Sequence, residues 1–474
     1  MMLILLSLLV VYTTWMRGGS SHGYQPPIIW LSFFCLVLLF LQLTAGRSAA
    51  RNDQAVVSGV RHSLSGLLKD PLFAIAGLFF VFLALQWYNG GRFIYFNQID
   101  SSWSFSEPVI PFLPSSIRKK EAAEMFVWFL PAFTAALCIR HGLSTRSGIR
   151  TLLSVCIINA GLLGLFGVIQ FLSGTRNVLW TWPQKTHFYA SFSYQNHSGE
   201  FFLIMFCLSV GFLLRYLLFD KTARRRLMWL GVFSAASLFA LISVHLSLVA
   251  ASTIFVWAVM AIGVVYACVI VFRRFPPVMR LNLIVGVVIF SCLTFYAVSG
   301  TAREKVAREL AGMADSKELA KDFTTRWWQV VTAKQIWNDN KWFGVGGWGY
   351  RHLVGTYMPD KAWVLLKEAG RANVHNDFMQ YLAEFGVVGL GLILLAVAVL
   401  LWPILRYPMW NHPLILFPML GILMTCLHSA IDLPFRNVAI ILSWTIILAA
   451  AGEYAKLTAF RRRTPRTGQH TSGS

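Results

Sequence analysis

The fold class predicted is an all-α integral membrane protein of about twelve transmembrane helices with one large, mainly helical loop on the outer face. Three observations predict it. Apolar residues make up 57% of the 474 and charged residues only 13%, far more apolar surface than a soluble core needs. The apolar residues gather in uncharged runs long enough to cross roughly 30 Å of hydrocarbon. Lys and Arg fall between those runs, dense on one side and sparse on the other.

Taken in order, the runs are 2–15, 28–45, 72–88, 126–139, 151–172, 201–218, 227–244, 250–272, 281–299, 386–405, 414–430 and 438–451. The first is short, with neither a basic start nor an Ala-x-Ala-like cleavage site, so it reads as an uncleaved helix rather than a signal peptide. Alternate loops hold Arg47, Arg51, Arg61 and Lys69, then Arg140, Arg146 and Arg150, then Arg215, Lys221 and Arg224 to Arg226, then Arg273, Arg274 and Arg280, then Arg406 and Lys456. Those loops are cytoplasmic by the positive-inside rule, which puts both termini inside. Much of the net charge of +21 is this topology signal. Because it comes as short clusters between helices, without a soluble basic domain, it argues against a nucleic-acid partner.

The chain therefore divides into helices one to nine (1–299), a large extracytoplasmic loop (300–385), helices ten to twelve (386–454) and a basic cytoplasmic tail (455–474). Inside the loop, 316–340 reads as an amphipathic helix with Phe323, Trp327, Val330 and Trp337 on one side, suited to the membrane surface. Gly344, Gly346, Gly347 and Gly349 follow. No strand precedes them and no Lys-Ser/Thr pair ends them, so they read as a tight connector rather than a phosphate loop. The cysteines all fall inside predicted spans and read as small buried hydrophobes. With no Cys-x-x-Cys, His-Glu-x-x-His or Asp-x-Asp anywhere, nothing points to a metal or another cofactor, and metal-free chemistry is the default.

What remains to do chemistry is polar and lies toward the outer face. His375, Asn376 and Asp377 open a helix that runs without a break into the tenth apolar run. Arg371 lies four residues before His375, Arg326 sits beside Trp327 and Trp328, and Asn196 and His197 belong to the run Tyr194 to Glu200 ahead of the sixth span. His428 and Asp432, with Arg436, end the eleventh span. Each has a purely structural reading: Arg326 as an interfacial snorkelling residue, Asp432 paired with Arg436, His197 as a helix cap. Together they put cations, amides and imidazoles on one face of an apolar bundle, as an anionic lipid-linked substrate requires.

The run Arg326-Trp327-Trp328 through Ile336 to Gly346, then His375-Asn376-Asp377-Phe378 through Leu390, then His428-Ser429-Ala430-Ile431-Asp432-Leu433-Pro434, resembles the O-antigen ligase and polymerase superfamily of bacterial envelope glycosyltransferases. Asn196-His197 resembles that family's polar element before the sixth span. The resemblance implies a GT-C-like bundle in the bacterial inner membrane. It further implies metal-independent, cofactor-free transfer of a glycan from a polyprenyl-diphosphate carrier to an acceptor hydroxyl at the periplasmic face, in lipopolysaccharide or other envelope polysaccharide biosynthesis. The acceptor is a glycan, a lipid A-core or a protein.

By the same resemblance His375 is the base and Arg326 the diphosphate clamp. Substrate binding falls to Arg371, Arg351, Asn196, His197, Asn376, Asp377, His428 and Asp432. Similar enzymes carry an arginine in a Ser-Arg-Gly segment after the seventh span. Here Ser243 to Val249 has none, so a second phosphate contact is expected from Arg371, Arg351, Lys185 or His245. Polysaccharide polymerases and protein O-oligosaccharyltransferases of the superfamily share the donor site and differ in the acceptor. A membrane transporter would share the helix count, but no repeat relates the two halves.

Overall fold

The structure, a computed structural model, describes residues 1–20, 22–45, 63–98, 102–184, 187–219, 223–274, 316–359, 362 and 373–463. Its helices are α1 (Met2–Trp15), α2 (Gln25–Ala45), α3 (Leu64–Leu68), α4 (Pro71–Tyr88), α5 (Lys119–Gly142), α6 (Arg146–Leu172), α7 (Gln195–Phe219), α8 (Ala223–Leu246), α9 (Ala250–Arg274), α10 (Ser316–Asp339), α11 (Tyr350–Tyr357), α12 (Asp377–Arg406), α13 (Pro413–His428) and α14 (Val438–Arg463). Among the described residues nine of these are long and apolar enough to cross a membrane, and α1 and α13 are shorter apolar helices, so this is a multi-pass membrane protein. The run 281–299 lies outside the described residues, as does Cys292.

Local chemistry sets the helix starts. Asp70, with Pro71 following, caps α4 by accepting from the Leu72 amide, Thr145 caps α6 through the Gly148 amide, and Asn376 caps α12 through the Met379 amide. α14 is the axis of the bundle. Its apolar window is buried along its whole length, and it packs on α5, α12, α13 and α6.

Two departures from the sequence reading lie in the segments that connect the apolar helices. A purely helical chain was expected, yet two short antiparallel hairpins occur: β1 (Ile94–Asn97) with β2 (Ser102–Phe105), and β3 (Asn177–Val178) with β4 (Trp182–Pro183). Both lie in connections between spans, where aromatic and β-branched residues favour a pleated ribbon. The aromatic stripe of α10 is also divided. Trp327 is 57% exposed, while Trp328, Val330 and Trp337 pack against a small second core of Ile117, Ala333, Ile336, Val345, Tyr350 and Val354. This segment thus has a core of its own, which Ala333 and Ile336 enter rather than the tryptophans.

The glycine-rich turn is the tight connector expected, and its partner is a break in α12. At Gly386 the backbone adopts φ 63°, ψ −170°, a conformation open almost only to glycine. The helical bonds from Val387 and Val388 to Ala383 and Glu384 are lost there and fully replaced. The amides of Val387 and Val388 donate to the carbonyls of Lys341 and Trp342, at 2.9 and 3.0 Å. The carbonyls of Ala383 and Glu384 accept from the amides of Val345 and Gly346, at 3.1 and 2.8 Å. Gln86 from α4 adds bonds to the carbonyls of Phe343 and Glu384.

A Cβ on Gly386 would lie 2.4 Å from the Trp342 carbonyl carbon and oxygen. Gly386→Ala is therefore expected to destabilise the protein by more than the roughly 1–3 kcal/mol of a strained conformation alone. Thermal unfolding in detergent reads this, with Gly391→Ala, where a Cβ meets nothing within 4 Å, as the control. Equal melting temperatures for the two variants would contradict the clasp.

Candidate functional site

Five consecutive residues between α13 and α14 gather the polar groups. Ser429 accepts from the Asp377 amide at 2.9 Å through its carbonyl, and the Ala430 carbonyl accepts from Asn376 Nδ2 at 2.9 Å. The Ile431 carbonyl accepts from Arg326 Nη1. The Asp432 carboxylate meets His375 Nδ1 at 3.3 Å, and the Leu433 carbonyl lies 3.0 Å from His197 Nε2. Ser429 to Asp432 form turns and a bend before the 3₁₀ segment Pro434–Arg436, so the carbonyls of Ser429, Ala430 and Ile431 are available as acceptors, while that of Leu433 also accepts from the Arg436 amide at 3.0 Å.

Asp432, itself 2% exposed, is the hub. Its carboxylate also accepts from Tyr194 Oη at 3.3 Å, from Asn196 Nδ2 and from the Leu433 amide at 2.9 Å. An ionised carboxylate can only accept, so the His375 proton lies on Nδ1 and the Nε2 lone pair is left free to take a proton. Behind Asp432, His428 Nε2 lies 3.8 Å from Oδ2, and His428 Nδ1 lies 2.6 Å from Glu200 Oε2. Carboxylate and imidazole therefore alternate from buried Glu200 through His428 and Asp432 to partly exposed His375. His375 has φ 52°, a left-handed conformation that a histidine tolerates better than most residues. It turns the chain into the Asn376 cap.

Burial raises the Asp432 carboxyl, but the hydrogen bond and charge of His375, with the charges of His428 and Arg326, outweigh it and leave the group below its ordinary value. A folded pKa below the unfolded value of about 3.9 means stabilisation that is complete above that value and lost as pH falls through the folded pKa. Melting temperature should therefore hold from pH 7 to about 5 and drop below the carboxylate range. Asp432→Asn should lower the plateau and flatten the acid limb. A wild-type acid limb of the same slope as the Asn variant's would rule out this contribution.

A second group of charges backs the first. Arg436, buried at 4% exposure, puts Nη2 2.8 Å from Glu384 Oε2 and Nε 3.9 Å from Asp377 Oδ1. Its guanidinium lies between the rings of Trp348 and Tyr381, 4.8 and 4.6 Å from their centroids. Asp377 Oδ2 accepts from the Phe435 amide at 2.8 Å. The nearby carboxylates of Glu384 and Asp377 outweigh the cost of burial and hold Arg436 firmly charged.

The structure thus brings together Arg326, His375, Asn376, Asp377, Asn196, His197, His428 and Asp432. Arg351 stands one ring away, stacked on Trp348 at 4.0 Å and near Glu384. Arg371 and Lys185 lie outside the described residues. His245 is occupied within the bundle: Nδ1 meets the Leu241 carbonyl at 2.8 Å and Nε2 accepts from Trp257 Nε1 at 3.1 Å. It is therefore not available to a phosphate. The pairing of Asp432 with Arg436 gives way to Asp432 with His375 and Arg436 with Glu384.

Sequence reasoning named Tyr194, Glu200 and Arg436 beside the candidates without giving them a site role, and it passed over Glu384. A signal existed for two of them: Glu200 is one helical turn from Asn196, and Glu384 two turns from Asp377, each on the same helix face.

Beneath the site, an apolar cavity of about 160 Å³ runs from Asp377, Tyr381 and Phe435 down α12 to Leu390, Val397 and Leu400. Among the described residues, no group of three His, Cys, Asp or Glu side chains is arranged to hold a metal ion. Residues 235–394 match a family model described as O-antigen ligase, about a third of the chain and the part that carries Arg326 and His375. No curated protein matches the chain.

Proposed function

From the match of residues 235–394 to the O-antigen ligase family model, we propose that this membrane protein moves a glycan from a polyprenyl-diphosphate carrier to an acceptor hydroxyl on the periplasmic face of the bacterial inner membrane. The observation that carries this reading is one of adjacency. Ile431 holds Arg326 and the next residue, Asp432, holds His375, so a guanidinium and an oriented imidazole lone pair flank one short segment. His375 Nε2 takes the proton of the acceptor hydroxyl as its oxygen bonds to the anomeric carbon. The bond from that carbon to the carrier phosphate breaks, and the diphosphate leaves with the electron pair. Arg326 meets the charge that develops on it, in the planar two-point geometry that suits a phosphate.

The asymmetry of Lys and Arg supports the orientation, and the apolar cavity along α12 is suited to the first isoprene units of the carrier. Because a guanidinium supplies the charge stabilisation, the reaction should need no divalent ion. Purified protein given a polyprenyl-diphosphate glycan tests this. Arg326→Ala should lower donor affinity and turnover together by about tenfold to a thousandfold, Arg326→Lys should recover part of both, and EDTA should leave wild-type activity intact. Loss with EDTA, restored by magnesium, would defeat the arginine-clamp mechanism.

A further inference from the structure

Away from His375, a second cavity opens on the outer face between the β1–β2 hairpin, α11 and the turn from Asp339 to Gly344, with a volume of about 920 Å³. That is the upper end of the size range of small-molecule sites. Its charged lining is balanced, with Arg92 and Lys341 against Glu107 and Asp339. Neither a phosphate nor a cation would therefore be favoured by net charge.

Its polar groups are arranged as donors and acceptors. Tyr357 and the Asp339 carboxylate share the lining, and burial together with that carboxylate pushes the phenol up to about 12, so it keeps its proton at neutral pH. Arg92 and Glu107 interact across the same cavity. Flat rings complete it: Tyr95 and Trp342 line it while being 43% and 68% exposed.

Planar apolar faces, neutral overall charge and mixed donors and acceptors match one ligand chemistry. A sugar ring has an apolar C–H face, a rim of hydroxyls that both donate and accept, and no charge. We propose that this cavity is a saccharide subsite, binding a short neutral stretch of glycan with Trp342 and Tyr95 as stacking platforms and Asp339, Tyr357, Arg92 and Glu107 as hydroxyl partners. The wall of the cavity from Lys341 to Gly344 is the segment clasped to α12 at Gly386. Nine residues of helix, about 13 Å at 1.5 Å per residue, separate Gly386 from Asp377, a span a short oligosaccharide bridges. Its role as a subsite rests on the glycosyltransferase reading; saccharide binding itself does not.

The full-length protein in detergent, presented to an array of lipid-free and phosphate-free oligosaccharides, neutral and acidic, tests it. Neutral oligosaccharides should be retained. Trp342→Ala and Tyr95→Ala, at exposed positions that leave folding intact, should each weaken binding about tenfold or more, and Asp339→Asn should weaken it without altering the melting temperature. His375→Asn should bind as wild type does. If no neutral oligosaccharide binds, if acidic ones are preferred, or if the Trp342 and Tyr95 variants bind normally, the subsite is overturned.

In transfer assays, a raised KM for the donor alone assigns the cavity to the donor glycan, and for the acceptor alone to the acceptor glycan. Unchanged KM for both overturns its place in the reaction. Should His375→Asn keep its transfer activity while Trp342→Ala loses oligosaccharide binding, the base assignment fails and the subsite stands.

Discussion

Replacing His375 by Ala or Gln lowers glycan transfer about a hundredfold or more, the usual scale for loss of a general base, while donor binding stays near the wild-type level. The imidazole donates from Nδ1 to Asp432, which leaves only Nε2 to accept a proton, and neither substitute offers a comparable base. His375→Asn is the sharper control. Asparagine also tolerates the left-handed backbone that His375 adopts at φ 52°, so it keeps the chain path and the Asn376 cap while removing the ring. If Asn and Gln variants at matched expression transfer glycan at most of the wild-type rate, His375 is only an anchor for α12. The site would then reduce to Arg326 with the Asn196-His197 element.

Arg436→Ala produces the largest loss of stability, about 3–5 kcal/mol, the scale for removing one partner of a buried ion pair. Glu384 would lose its 2.8 Å partner and Asp377 the guanidinium 3.9 Å away, and two aromatic rings would lose the guanidinium they enclose. Arg436→Lys should recover little, because a compact ammonium cannot fill the planar gap between Trp348 and Tyr381. Combining Arg436→Met with Glu384→Gln and Asp377→Asn should restore much of the melting temperature, since it removes the stranded charges along with the cation. An Arg436→Ala protein that melts within about one degree of wild type would show the cluster to be marginal.

The apolar helices among the described residues were legible because a bilayer selects for composition and length, which a sequence displays directly. The polar candidates were legible because buried ionisable groups are rare in such a chain. Their partners were not. Asp432 and Arg436 stand four apart, a helical pairing distance, but the intervening residues form turns and a 3₁₀ segment, so the spacing rule does not apply. Likewise, the hydrophobic pattern of α10 favours its tryptophans, whereas contact with the second core selects Ala333 and Ile336. The break at Gly386 is invisible because glycine is common in transmembrane helices. Only the clasped turn shows why one stands there.

That clasp limits how the protein can breathe. Peeling the 341–346 turn away from α12 would strand the amides of Val387 and Val388 and leave the carbonyls of Ala383 and Glu384 short of the Val345 and Gly346 amides. Each orphaned buried group costs about 1–3 kcal/mol, and a membrane interior offers little water to relieve them. The turn is therefore a fixed pivot. Any opening of the site has to swing parts of the chain remote from that turn, and such a movement leaves α12 held at Gly386.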